Sequence, residues 1–404
     1  MSLDRLRIAL AEFQPRGGLT HHTGQLADAL ARRGHDVTVV APRNSELRGH
    51  LTDARLAPCL AAFDPGRRLA RGRWSAPVQR LGRGAILSRA WWDLERFVHR
   101  EVPDVLQLSE LRTALDGAGA SWLARRCRRT LLVDMCHNVM PFDRRPGSAT
   151  LLRSGPVLRS ALAMAYRRMD AVVVHGKDSQ RRFSEHWPGV GPVEVVPHGD
   201  ARIFGGALPP WGGPPTVLFF GSWAGYKGLD VLFDAFALVR QEIPNARLEL
   251  AGAPTREVPE EWVMARCRAF GGSAHAAAGY VPIEAVRQLF ARASVVALPH
   301  REGFQSAVAF LAFTLGRPVV CTRVGDVAEA VDASGGGLAV PPGNPDAFAA
   351  ALVALLRDRT RAQTMGHNGR SWVVNDSSWD VAAERLEALY HRLSDPARGG
   401  SLRV

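Results

Sequence analysis

Leu298–Asp326 reads LPHREGFQSAVAFLAFTLGRPVVCTRVGD, and the rest of the chain is organised around it. A short apolar strand, Ser294–Leu298, leads in and turns at Pro299. The loop Glu302-Gly303-Phe304-Gln305-Ser306 follows, then an apolar helix to Leu315 that Gly316 ends. Pro318 opens a second apolar strand, PVVC. Strand, loop, helix and strand make one βαβ unit. Its loop lies at the carboxyl end of a strand, where open parallel sheets bind ligands. The first amides of the helix, near Phe304–Ala307, have no partner inside it. Together with the helix dipole they suit a phosphate. Most such helix starts in α/β proteins hold only water.

The same alternation continues on both sides. Arg7–Phe13 is a strand, Gln14–Leu19 a glycine loop and Thr20–Arg33 a helix with Leu26, Ala29 and Leu30 on one face. Gly34-His35 stops that helix before the strand Asp36–Ala41. Gly17-Gly18 can bring backbone close to a ligand, but GxGxxG is absent, and with it the dinucleotide fingerprint. From Arg48 to Arg100 the pattern weakens. Strands resume at Asp104–Leu108, Thr130–Met135, Ala171–His175 and Val193–Val196. A Gly/Pro run within Gly199–Pro215 reads as a linker. A second series starts at Thr216 with TVLFFG, the loop SWAGYKG and a helix over Leu229–Gln241. It continues with strands RLELAG and HAAAGYV, helices near Glu260–Phe270 and over Ile283–Ala293, and the opening stretch. Strand GLAV and helices Asp346–Arg357 and Arg361–Val374 follow. A final helix near Trp379–Leu393 carries a Trp379, Ala383, Leu386, Leu389 stripe suited to packing on another domain. The expected fold class is α/β, with two Rossmann-like, doubly wound parallel sheets, since 404 residues exceed one core.

Composition bounds the function. Apolar residues are 46% and charged residues 22%, as in a soluble globular protein. Five scattered cysteines without a CxxC pair argue for reduced thiols and against a disulfide framework or zinc site. No apolar run is long enough for a membrane span, and the N-terminus lacks a signal peptide's apolar core, so the expected location is cytoplasmic. The net charge is +12, yet only Lys177 and Lys227 among 51 basic residues are lysines. A lysine in so arginine-biased a chain marks a place that wants a compact ammonium. Arg67, Arg68, Arg71, Arg73, Arg80, Arg83 and Arg89 alternate with Trp74, Trp91 and Trp92. Arg67–Trp92 is either a surface for anionic lipid or an anionic acceptor, or a solvated face over core tryptophans. No recognition fold accompanies the charge, which argues against nucleic acid. His137 and His175 end strands, and His198 belongs to the turn VPHGD.

Five stretches carry a family resemblance: GGLTHHTGQLADALARRGHDVTVV, His137-Asn138, VVPHGD, LFFGSWAGYKG and EGFQSAVAFLAFTLGRPVV. SWDVAAERLEALY near the end joins them. Over nearly its whole length the chain resembles the retaining nucleotide-sugar glycosyltransferases of family 4. These have the GT-B fold, two Rossmann-like domains facing a central cleft. The resemblance implies an acceptor domain over 1–198 that a returning helix at 376–393 rejoins, a linker at 199–215 and a donor domain over 216–375, with a flexible tail at 394–404. It implies transfer of a hexose from a UDP- or GDP-sugar, a co-substrate and not a bound cofactor, to a glycan, lipid-linked saccharide or secondary-metabolite acceptor. Lys227 matches the lysine on the donor phosphates and Glu302 the glutamate that contacts the sugar. Phe304, Gln305 and Ser306 fall where backbone amides hold phosphate. Gly17 and Gly18 match the loop that closes on the donor, and His137 the histidine near sugar and acceptor. His137, Lys227 and Glu302 are thus the candidate catalytic residues. No DxD occurs, which fits a metal-independent enzyme.

Two departures stand out. The family's second glutamate falls on Phe310, and Gly221–Gly228, GSWAGYKG, lacks the arginine that usually precedes the lysine. A related branch carries a Gln-Ser pair and no second glutamate, and this chain looks closer to that branch. A nucleotide-sugar epimerase of the same fold, or a degenerate member acting as a binding or scaffold subunit, are the competing readings.

Overall fold

A computed structural model describes residues 5–61, 76–139, 155–303 and 305–395, with backbone alone at 76–81. Arg67, Arg68, Arg71, Arg73, Trp74, Phe304, the Arg80 side chain and the tail beyond Asp395 lie outside the described residues. The chain divides into two compact units, Met1–Pro197 with Trp379–Val404, and His198–Ser378.

The first unit holds seven parallel strands: β1 (Arg7–Ala11), β2 (Asp36–Pro42), β3 (Arg55–Leu60), β4 (Val105–Leu108), β5 (Leu131–Met135), β6 (Ala171–Val174) and β7 (Val193–Val195). Their spatial order is β3-β2-β1-β4-β5-β6-β7. Strand order reverses between β1 and β4, so the carboxyl ends of these two strands flank the switch point where such sheets bind ligands. The helices are α1 (Gly18–Arg32), α2 (Ala76–Glu101), α3 (Ala114–Arg126), α4 (Gly155–Tyr166) and α5 (Lys177–His186).

The second unit has six parallel strands: β8 (Thr216–Phe220), β9 (Arg247–Gly252), β10 (Ala274–Ala278), β11 (Val295–Leu298), β12 (Val319–Thr322) and β13 (Gly337–Val340). They run in the order β10-β9-β8-β11-β12-β13. The helices α6 (Leu229–Glu242), α7 (Glu260–Arg268), α8 (Ile283–Arg292), α9 (Ala307–Thr314), α10 (Gly325–Ser334), α11 (Pro345–Arg357) and α12 (Arg359–Asn375) cover it. A central strand buried on both faces must be apolar at every position. In β11, Val295 and Ala297 join one core while Val296 and Leu298 join the other. No described helix is long and apolar enough to cross a membrane.

Three regions differ from the expectation. The weak segment after Arg48 contains β3 and the 26-residue α2. Pro58 sits inside β3, which an edge strand tolerates because one of its sides needs no amide donor. Helix α10 was not anticipated in Gly325–Ser334. The Gly/Pro run is not a free linker at 199–215. It straps the second unit, which begins at His198. The Ala201 amide donates to Thr314 Oγ1 at 2.9 Å, Arg287 Nη1 to the Gly206 carbonyl at 2.7 Å and the Leu208 amide to the Leu315 carbonyl at 3.1 Å. Trp211 is buried there with the Arg317 and Arg359 guanidiniums over its ring. Glycine and proline mark irregular backbone. Whether it packs depends on partners far away in sequence.

The last helix, α13 (Trp379–Ser394), belongs to the first unit. Trp379, Ala383, Leu386 and Leu389 lie in the core formed with α1, β1 and β2. Glu387 is pinned by Arg33 and by His35 Nε2 at 3.1 Å, and Tyr390 donates to Gln107 Oε1 at 2.5 Å.

Candidate active site

Lys227 sits on a single 3-10 turn, Gly225–Lys227, after β8. Gly228 closes that turn in the left-handed region, φ 65°, and a Cβ there would stand 2.0 Å from the Pro299 carbonyl oxygen. Only glycine permits both. The Arg301 amide donates to the Tyr226 carbonyl at 2.7 Å, so the lysine turn is stitched to the loop that leads into α9. Burial around the ammonium pushes Lys227 down to about 8. His300, buried beside it, is pushed down to about 3 by burial and the lysine charge, so it stays neutral.

Ser306 is the N-cap of α9 and makes no side-chain cap bond. The Gln305 side-chain amide nitrogen is buried with no hydrogen-bond partner among the described residues, a donor left over for a ligand. Glu302 is exposed on the same loop. The structure thus gathers Lys227, Glu302, Gln305 and Ser306 around the carboxyl end of β11. Phe310 belongs to the hydrophobic core. It is 6% exposed, packed in the core with its ring 4.8 Å from His198 and 6.0 Å from Trp372.

A second group lies in the first unit. Gly17 precedes α1 at φ 105°, and its amide donates to Glu46 Oε1 at 2.5 Å. The same oxygen lies 2.7 Å from His21 Nε2. A Cβ on Gly18, whose backbone is ordinary, would meet nothing within 4 Å, so the fold itself does not require glycine there. In the second turn of α1, His22 lies edge-on to His137, centroids 4.6 Å apart, and His137 Nδ1 is 3.1 Å from His175 Nε2. Gly17, Gly18 and His137 are therefore brought together, through a histidine whose helical position carries no signal in sequence.

Around them stand buried acids. Glu12, at the end of β1, accepts from the Gln14 amide at 2.6 Å and from Thr23 Oγ1 at 3.3 Å, and burial pushes it up to about 7. Glu110 takes Asn138 Nδ2 and Arg112 Nε. Asp134 is fully buried and pushed well up by burial and by Glu110. His22, His137 and His175 could hold a cation, their nitrogens lying within 4.8 Å of one another, as could His35, Glu387 and His391. In the second set His35 is already engaged on both nitrogens, by the Leu6 amide and Glu387.

Residues 16–199 match the family description Glycosyltransferase Family 4, and residues 214–358 match Glycosyl transferases group 1. The chain belongs to glycosyltransferase family 4. This family 4 glycosyltransferase is 29% identical to a GDP-mannose-dependent alpha-(1-6)-phosphatidylinositol monomannoside mannosyltransferase of Mycobacterium tuberculosis, covering 98% of this chain and 100% of the relative. It is 25% identical to a glycogen synthase of the same organism, covering 96% and 94%. Among solved structures, sucrose-phosphate synthase from Thermosynechococcus elongatus superimposes with a TM-score of 0.74 at 20% identity, covering 96% and 99%. HepE of Anabaena, in complex with UDP-glucose, gives 0.69 at 17%, covering 96% and 100%. These likenesses give the glycosyltransferase its GT-B fold.

Proposed function

We propose that this glycosyltransferase moves a hexose from a UDP- or GDP-sugar to a glycan, a lipid-linked saccharide or a secondary-metabolite acceptor, with retention and without a metal. The observation that carries the reading is the stitching of the Lys227 turn to the loop before α9. It brings a partly desolvated ammonium, the orphaned Gln305 amide and the start of α9 to the carboxyl ends of two neighbouring strands, β8 and β11. A departing nucleoside diphosphate develops negative charge, and preorganised donors of this kind stabilise it as it forms. Glu302, exposed on the same loop, is available to sugar hydroxyls, while Gly17, Gly18 and His137 form the group on the other unit. The UDP or GDP choice follows the relatives, one GDP-mannose-dependent and one solved with UDP-glucose. Retention and the hexosyl class follow the family resemblance. For the acceptor, a lipid-linked substrate fits α2, where Trp92 is 40% exposed with Arg89 and Arg96 guanidiniums 4.3 and 4.8 Å from its ring.

A thermal-shift panel of UDP-, GDP-, ADP- and dTDP-sugars, with and without chelator, tests the reading. A ligand at 100 times its dissociation constant stabilises by about 2.7 kcal/mol. A UDP- or GDP-sugar is expected to raise the transition most, unaffected by chelator, and to be hydrolysed slowly without acceptor. A panel with no shift from either would overturn it.

A further inference from the structure

The loop between β1 and α1 is tied down at Gln14, Pro15 and Gly17. Glu12 Oε1 takes the Gln14 amide at 2.6 Å, and Thr20 Oγ1 donates to the Gln14 carbonyl at 3.1 Å. The other two ties come from one residue, Glu46. Its amide donates to the Pro15 carbonyl at 2.9 Å, and its Oε1 takes the Gly17 amide at 2.5 Å. Glu46 therefore grips the loop by backbone and side chain at once.

Packing puts Glu46 in that place. It sits in a turn at the end of β2, where the Ser45 amide donates to the Pro42 carbonyl at 3.0 Å. Its neighbour Leu47 is buried and fills the room that Gly24 leaves on α1, where a Cβ would stand 2.6 Å from Leu47 Cδ2. The first turn of α1 carries no acidic residue of its own. A carboxylate suits the positive end of a helix, and Glu46 supplies one from the loop after β2. An amide bonds a carboxylate more strongly than it bonds a neutral acceptor. Two consecutive glycines lose more conformational freedom on ordering than other residues do, which such a grip offsets.

We infer that Glu46 is a positioning residue: it fixes the glycine loop before the donor arrives, and it spends the Gly17 amide in doing so. This rests on the glycine loop meeting the donor, as proposed above, and adds the residue that shapes the loop. The donor then approaches at Gly18, where a Cβ would meet nothing within 4 Å.

Hydrogen-exchange mass spectrometry of the full chain reads the grip at residues 14–18. In Glu46→Ala this segment is expected to exchange about tenfold faster or more, the scale of losing one bond to a charged group, with β5 unchanged. Acceptor-free hydrolysis of UDP-glucose or GDP-mannose should lose about tenfold or more in kcat/KM, as misplaced contacts do. Affinity for UDP and GDP, assigned to the Lys227 unit, should stay at the parental value. Glu46→Asp keeps the charge but falls a methylene short, and it should resemble Glu46→Ala. Glu46→Gln, whose Oε1 still accepts from the Gly17 amide, should recover part of both losses. Parental exchange in Glu46→Ala overturns the grip, and faster exchange with parental kcat/KM overturns the positioning role. Tighter binding of UDP or GDP in Glu46→Ala also overturns it, because the carboxylate would then compete with the donor. Gly18→Ala should exchange as the parent does while its hydrolysis falls. Parental hydrolysis in Gly18→Ala instead sinks the assignment of this loop to the donor, while exchange still decides the grip.

Discussion

Gly228 passes the Pro299 carbonyl so closely that any side chain there would overlap it, a Cβ standing 2.0 Å from the oxygen. That contact, and the Arg301–Tyr226 bond beside it, hold Lys227 against the loop that enters α9. Gly228→Ala should therefore shift the whole turn and misplace the ammonium. A misplacement of about 1 Å can cost roughly 100-fold in rate. Turnover and nucleotide affinity should fall together. A variant with parental values for both would show that the stitch is not needed.

Lys227 gives a pH signature. In the free protein its ammonium titrates near 8, lowered by burial. A diphosphate beside it favours the charged form and raises that value, so binding takes up a proton above pH 8. Affinity for UDP or GDP is then fully present below about 8 and declines as pH rises from there, levelling off at the pKa of the complex. Lys227→Arg should bind without that decline, because arginine stays charged. Lys227→Ala should lower turnover by roughly 2.7–4 kcal/mol while folding normally. Titration calorimetry showing a flat affinity across that window would remove Lys227 from the diphosphate.

Phe310 occupies the position of the family's second glutamate and is core. Replacing it by Ala should cost about 3–5 kcal/mol of stability in urea unfolding. A ring offers the ribose no acceptor, whereas a carboxylate would supply charge-assisted bonds of about 1.5–3 kcal/mol each. UDP and dUDP should bind the parent with similar affinity. A preference for UDP above about tenfold, or 1.4 kcal/mol, would reveal a polar ribose clamp elsewhere.

Arg317 is 1% exposed, donating to the carbonyls of Phe290 at 2.9 Å, Pro209 at 2.9 Å and Ala291 at 3.3 Å. Burial pushes it down to about 10. Losing the guanidinium strands the Pro209 and Ala291 carbonyls, each at about 1–3 kcal/mol if left unpaired, while the Phe290 carbonyl keeps the Ala293 amide. Arg317→Met should lose about 2 kcal/mol or more on that scale and free the strap at Pro209 to proteolysis. Arg317→Lys should recover little, since an ammonium lacks the fork. Parental stability in Arg317→Met would mean that water serves these carbonyls as well.

A peripheral role for α2 predicts that vesicle binding rises with anionic lipid and falls with salt. Trp92→Ser, or Ser at Arg67, Arg68, Arg71 and Arg73 together, should weaken it. Equal partition onto neutral and anionic vesicles would leave a solvated face.

The sequence by itself determined the βαβ alternation, because strands buried on both faces must be apolar throughout and glycine follows the ends of helices such as α1 and α9. It also placed Lys227, Gln305, Ser306, Gly17, Gly18 and His137 at strand ends and helix starts, positions that local periodicity encodes. Tertiary structure alone decided what meets there. Gly228 is legible as a glycine, but its necessity comes from Pro299, which lies on another strand's loop. The Gly/Pro run looked like a linker until Arg317 and Thr314 appeared as its partners. His22 sits in a helix with nothing around it in sequence to distinguish it from His21, and His175 is a strand-end histidine among others. Their roles exist because parallel strands bring carboxyl ends side by side, and that juxtaposition depends on strand order, which no local pattern records.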